Sequence, residues 1–112
     1  MTLARTVIAI AIVAVPAGVA AQARYEGAGA TQELDCEGGT ATIAGASNTM
    51  TVTGNCRALV IEGAGNRVRV DLASKGSIRI SGAGNQVVWR TPDGSKARVS
   101  VAGAGNRVSQ SR

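Results

Sequence analysis

The sequence predicts an all-β protein, a short parallel β-solenoid of four to five rungs. Three observations predict it. The first is an octet that occurs four times: Gly45-Ala46-Ser47-Asn48-Thr49-Met50-Thr51-Val52, Gly63-Ala64-Gly65-Asn66-Arg67-Val68-Arg69-Val70, Gly82-Ala83-Gly84-Asn85-Gln86-Val87-Val88-Trp89 and Gly103-Ala104-Gly105-Asn106-Arg107-Val108-Ser109-Gln110. Its asparagines lie 18, 19 and 21 residues apart, a period that marks a repeat architecture. The second is alternation on both sides of each Gly-x-x-Asn. Four residues before each Gly stand Ala41, Leu59, Ile78 and Val99, and two before it stand Ile43, Ile61, Ile80 and Val101. Two residues after each Asn come Met50, Val68, Val87 and Val108, and four after come Val52, Val70, Trp89 and Gln110. The positions between are mostly polar or small, so each copy reads as strand, corner, strand with one apolar face. The third is a pair of cysteines, Cys36 and Cys56, separated by close to one repeat.

Two pairing schemes fit this pattern. In an antiparallel hairpin-repeat sandwich each corner is a hairpin loop. In the parallel scheme each corner turns the chain to the next side of a coil and the copies stack. The parallel scheme is favoured because it explains the recurring Asn: stacked side-chain amides hydrogen-bond to one another up a ladder. Asn48, Asn66, Asn85 and Asn106 are therefore read as a structural turn ladder. Gly, and less readily Asn, takes positive φ at small cost, which suits the corner to a sharp bend.

Taken in order, the chain of 112 residues opens with a short basic start ending at Arg5, an apolar run over 7–15 and Pro16, followed by small residues to Ala23. Residues 1–23 are read as a secretory signal peptide cleaved after Ala23 or Ala21, leaving a single β-repeat domain over 24–112. The apolar run is shorter than the roughly 20 residues of a membrane span, so no span is expected after cleavage. The product is placed in the periplasm or outside the cell. Tyr25-Glu26-Gly27-Ala28-Gly29-Ala30 is a degenerate first rung or cap, with Ala30 where a further Asn would fall. An acidic stretch carrying Cys36 follows. Gly38-Gly39, Gly54-Asn55-Cys56, Lys75-Gly76 and Thr91-Pro92-Asp93-Gly94 then punctuate the full repeats, the last as a strong turn signal where the spacing lengthens. Trp89 points inward by register, and the final rung has little sequence beyond it to cover it.

Cys36 and Cys56 read as a structural disulfide. They are the only two cysteines, the exported compartment permits oxidation, and on adjacent rungs about 5 Å apart they meet the usual Cα spacing of a disulfide, about 5.5 Å.

Charge is uneven along the chain. Residues 24–56 hold Glu26, Glu33, Asp35 and Glu37 against Arg24 alone, whereas residues 57–112 hold ten bases against Glu62, Asp71 and Asp93. A basic face of Arg67, Arg69, Arg79, Arg98 and Arg107 suits an anionic envelope component, or it is a solvated surface that discourages strand addition. Nucleic acid is not the expected partner, because no aromatic platform accompanies the bases. Glu62 and Arg79 are expected to form a surface ion pair between neighbouring rungs.

The chain contains no His, so the commonest general base and metal ligand is missing, and its carboxylates do not repeat in register. Ca²⁺-binding nonapeptide solenoids need Asp where this chain has Asn, and neutral amides alone do not balance a divalent ion. No enzyme activity, cofactor or metal is expected. The expected function is a non-catalytic exported structural or binding module of the cell envelope. The alternative is a self-assembling fibre or matrix subunit that associates through the open C-terminal rung.

The alternating strands around Gly-Ser/Ala-Gly-Asn-x-Val, with two cysteines about one repeat apart, resemble a family of small exported bacterial proteins catalogued as domain of unknown function 3060. The resemblance covers nearly all of 34–110. It implies an exported or envelope-associated repeat protein and carries over no catalytic residue. A weaker similarity is to curli-type amyloid subunits, which also repeat a Gly-x-Gly-Asn. Their inward Gln ladders are replaced here by Ile43, Ile61, Ile80 and Val101.

Overall fold

The computed structural model describes residues 22–111; Arg112 and all of the 1–23 signal-peptide reading except its last two residues lie outside them. Eight strands form: β1 (Gln22–Ala28), β2 (Thr31–Asp35), β3 (Thr40–Ala46), β4 (Thr49–Ala64), β5 (Arg67–Ala83), β6 (Gln86–Arg90), β7 (Arg98–Ala102) and β8 (Arg107–Gln110). Every pairing between them is parallel. The antiparallel hairpin scheme is therefore excluded, and the chain is a β-solenoid of five rungs, 22–39, 40–57, 58–76, 77–97 and 98–111.

Each rung has two walls. The wall before the Asn corner stacks β1, β3, the second half of β4, the second half of β5, and β7. The wall after it stacks β2, the first half of β4, the first half of β5, β6 and β8. Since side chains alternate along a strand, each wall sends two columns inward. Ala41, Leu59 and Ile78 form one column, and Ile43, Ile61 and Ile80 the next. They face Met50, Val68 and Val87, and Val52, Val70 and Trp89, from the other wall. All twelve are buried, as the alternation requires.

The first rung is a rung in its own right. Gln22 to Ala28 pair residue by residue with Thr40 to Ala46, Gly27 against Gly45. Tyr25 packs against the core from this end and folds its ring over Gly27. At the other end the pattern fails. Val99 and Val101 occupy inward columns but are 43% and 44% exposed, because no further rung covers them among the described residues.

The corner after β2 and its equivalents work differently from the Asn corner. Cys36 and Cys56 are bonded there, with Cα atoms 5.6 Å apart, and Leu72, which the octet pattern does not reach, fills the same corner one rung on with no exposed surface. The strands bend through this corner instead of stopping: β4 and β5 each run continuously from one wall to the other, with register shifts around Cys56.

Candidate functional site

The side chains that the sequence singles out fall into three places: the buried Asn corner, the outer walls and the open end. At the corner, Asn48, Asn66 and Asn85 have no exposed surface. Asn48 Nδ2 donates to Asn66 Oδ1 at 3.1 Å, Asn66 Nδ2 to Asn85 Oδ1 at 3.0 Å, and Asn85 Nδ2 to Asn106 Oδ1 at 3.0 Å. Each Nδ2 also donates to the carbonyl of the motif Gly one rung back, Gly27, Gly45, Gly63 or Gly82. The backbone N–H groups of Asn48, Asn66 and Asn85 donate to the next Oδ1 as well. In Asn66 and Asn85 both amide hydrogens and both oxygen lone pairs are thus used, the condition for burying an amide at low cost. Ala30 completes the column from the first rung with its backbone N–H, 3.1 Å from Asn48 Oδ1.

The ladder confirms why Asn recurs, but the reason is its side chain and not its backbone. Positive φ falls on the third motif residue, Ser47 at 57°, Gly65 at 67°, Gly84 at 68° and Gly105 at 73°, and not on the ladder asparagines. The first motif Gly has a separate duty. At Gly45, Gly63, Gly82 and Gly103 a Cβ would fall on the carbonyl oxygen of the corresponding Gly one rung back, so glycine is needed for the rungs to approach.

The five arginines read as one basic face are divided between two. Arg67, Arg69 and Arg107 lie on the wall after the Asn corner, where Arg67, Gln86 and Arg107 share one outward column. Arg79 and Arg98 lie on the wall before it. All five are exposed. Nor do Glu62 and Arg79 pair: Glu62 is level with Ser81, and Arg79 with Val60, in the adjacent column. The ion pairs among the described residues are Arg24 with Glu26 and Arg90 with Asp71, the latter at 2.8 Å.

The open end gathers Val99 and Val101 from β7 and the half-buried Val108 from β8. β7 pairs only with β5 and β8 only with β6, so the outer edge of each presents unpaired backbone groups. Asn106 ends the ladder there with one amide hydrogen and its backbone N–H unmatched. Arg98 and Arg107 flank this edge. Among the described residues no three His, Cys, Asp or Glu side chains gather where they could hold a metal, and no helix is long and apolar enough to cross a membrane.

Parallel stacking, an internal amide ladder and two open ends define a small disulfide-stapled β-solenoid repeat protein. The sequence model of a family described as a protein of unknown function (DUF3060) matches residues 43–96, and over that stretch the chain is similar to that family. The match begins inside the second rung and ends in the fourth, within the regular part of the stack. No curated protein and no solved structure matches the chain.

Proposed function

We propose that the chain is a non-catalytic exported structural or binding module of the cell envelope, and that its contacts are made through the open C-terminal rung. The observation that carries this reading is the exposure of Val99 and Val101 at positions that are fully covered in the three rungs before it. Natural sheets usually blunt or cover such an edge. This one is left apolar, with its backbone available for strand addition. The disulfide and the charged-apolar-small order of residues 1–23 support export. Processing after Ala21 keeps β1 whole, whereas processing after Ala23 removes two residues that pair with Thr40 and Ala41; the exported product is expected to begin at Gln22.

The test is retention of envelope material on immobilised oxidised protein, compared with Val99→Lys and Val101→Lys forms whose far-ultraviolet spectra are unchanged. Loss of retention supports the reading. Equal retention by the lysine forms places the contact elsewhere and overturns it. A second reading, capture of an anionic envelope component on the outer wall, is favoured by the shared column of Arg67, Gln86 and Arg107 with Arg69 alongside. It requires retention to weaken as salt shortens the screening length from about 10 Å at 0.1 M to about 3 Å at 1 M.

A further inference from the structure

The geometry points to a second copy of this chain as the occupant of the open rung, seated head to tail with its first rung on the last rung of its neighbour. This inference rests on the reading of the C-terminal rung as the contact surface and names the partner. Three observations carry it.

The first is that the stacking operation is already built. Consecutive rungs are related by parallel pairing of equivalent strands, and the terminal pairs of strands are each bonded on one side only, β1 and β2 at one end, β7 and β8 at the other. Repeating the operation once more sets β1 of a second copy beside β7, and β2 beside β8. With Gly27 of that copy over Gly103, the register places its Tyr25 over Val101 and its Ala23 over Val99, continuing the columns that run through Ile43 and Ala41. Both sets of inward side chains are incompletely covered in the single chain: Ala23, Tyr25 and Leu34 are only partly buried, and Val99 and Val101 are exposed.

The second is charge. The first rung carries Glu26, Glu33, Asp35 and Glu37 against Arg24, while the described part of the last rung carries Arg98 and Arg107 and no acid. Head-to-tail contact brings opposite signs together, with Glu33 of one copy one column away from Arg107 of the other. Tail-to-tail contact between two last rungs would set Arg98 and Arg107 against their own copies, and like charges across an interface oppose association. The electrostatics therefore select the heterologous arrangement, which does not close on itself and gives open linear chains.

The third is the direction of the ladder. Every Oδ1 faces the N-terminal side and every free donor faces the C-terminal side, so Asn106 offers two N–H groups to whatever follows it. The incoming corner carries Ala30, which has no amide oxygen to return. The junction thus repeats the core of an internal step, adds a general attraction between an acidic and a basic end, and lacks the amide step, and this makes it weaker than the contacts within one chain.

The test is the mass of the oxidised protein by light scattering across a wide concentration range. Oligomers growing without a fixed end size, and shrinking at high salt, are expected. Ala30→Asn supplies the missing amide and is expected to lower the midpoint concentration about tenfold, the worth of a net hydrogen bond or two. Glu33→Arg and Arg107→Glu each weaken association, and combining them in one chain restores it. Chains bearing Val101→Cys, mixed with chains bearing Tyr25→Cys, cross-link to each other. A protein that stays monomeric at every concentration overturns the proposal, as does a closed dimer, or a Val101→Cys chain that cross-links only to itself. If mass never rises but the lysine forms still lose envelope material, the head-to-tail proposal fails and the C-terminal rung remains a site for another partner. If neither changes, both fail.

Discussion

The two corners of each coil close the same turn by opposite means. The Asn corner has one length in every rung and places only small residues and the ladder asparagines at the bend. Its order comes from hydrogen bonds that run between rungs. The opposite corner varies in length and in content. It holds a disulfide between the first two rungs, a buried Leu72 in the third, and the Thr91-Pro92-Asp93-Gly94 turn in the fourth, where Gly94 N–H donates to Thr91 O at 3.4 Å. The difference teaches how a short solenoid tolerates an irregular period. One corner keeps the rungs in register, so the other is free to absorb the insertions that stretch the spacing from 18 to 21 residues. Each device at the second corner occurs once, whereas each residue of the first repeats and depends on its neighbours above and below.

The comparison is broken most severely at glycine. Gly63→Ala drives a methyl into the carbonyl of Gly45 and keeps a φ of 139°; it is expected to remove about 4 kcal/mol or more of stability. At the second corner Gly38 has a φ of 74° and open space where a Cβ would stand, so Gly38→Ala is expected to lose only about 1–2 kcal/mol, the left-handed penalty alone. Urea midpoints of the two variants give the contrast directly, and equal shifts would remove the distinction between the corners.

Asn66→Ala comes next. It deprives Asn48 of the acceptor for two buried donors, leaves Gly45 O without its side-chain donor, and leaves Asn85 Oδ1 with one donor, the backbone N–H of residue 66, where it had two. At about 1–3 kcal/mol for each unsatisfied buried group, partly relieved by relaxation and water, a loss of about 3 kcal/mol or more is expected in the same denaturation assay.

Reduction of Cys36–Cys56 probes the second corner's own staple. A bond across 20 residues contributes about 3 kcal/mol, and at about 4–8 °C per kcal/mol for a domain of this size the melting temperature should fall by roughly 12–24 °C. Amide exchange should rise first in β2 and β3 while the ladder in the later rungs stays protected.

Length changes give a smaller effect on one side only. Two residues inserted after Gly94 should shift stability by less than about 1 kcal/mol, since loop closure depends weakly on length. The same insertion after Gly65 displaces Asn66 from the column and should behave like its removal or worse.

The smallest effect lies in the late turn itself. Ser95 donates to Asp93 first through its backbone N–H, at 3.0 Å, and then through its hydroxyl, and these bonds hold the Asp93 carboxyl below its ordinary value of 3.8. The sign follows: the contribution is present above that ordinary value and disappears as the pH falls through the lowered one. In an NMR titration the Ser95 amide proton should move with a midpoint below 3.8, with the Asn corner unaffected.

Much of this was legible in the residues. The octet fixed the Asn corner, and the alternation placed the twelve core positions, because a strand has only two faces and the apolar one must be covered. The two cysteines followed from a separation close to the repeat. The division of the basic residues was also within reach: Arg79 and Arg98 precede a motif Gly, whereas Arg67, Arg69 and Arg107 follow an Asn, which puts them on different walls. Reading a shared sign as a shared face overlooked this. Leu72 was legible too, since it continues the alternation of Val68 and Val70 by one more step, but it lies just beyond the aligned octet. The close approach at Gly45, Gly63, Gly82 and Gly103 was hidden for another reason. It arises from an atom in the neighbouring rung, and only the stacked geometry reveals that neighbour.

The amide column has a sense of direction, and this makes the two ends unequal under truncation. Remove rungs from the N-terminal side and the newly exposed corner shows its oxygen together with the one amide hydrogen that had reached the lost glycine carbonyl. Remove them from the C-terminal side and it shows two hydrogens in search of an acceptor, however many rungs are left. A corner emerging early from a ribosome or translocon therefore waits for its successor before its own donors are matched, and each coil is completed by the one that follows it.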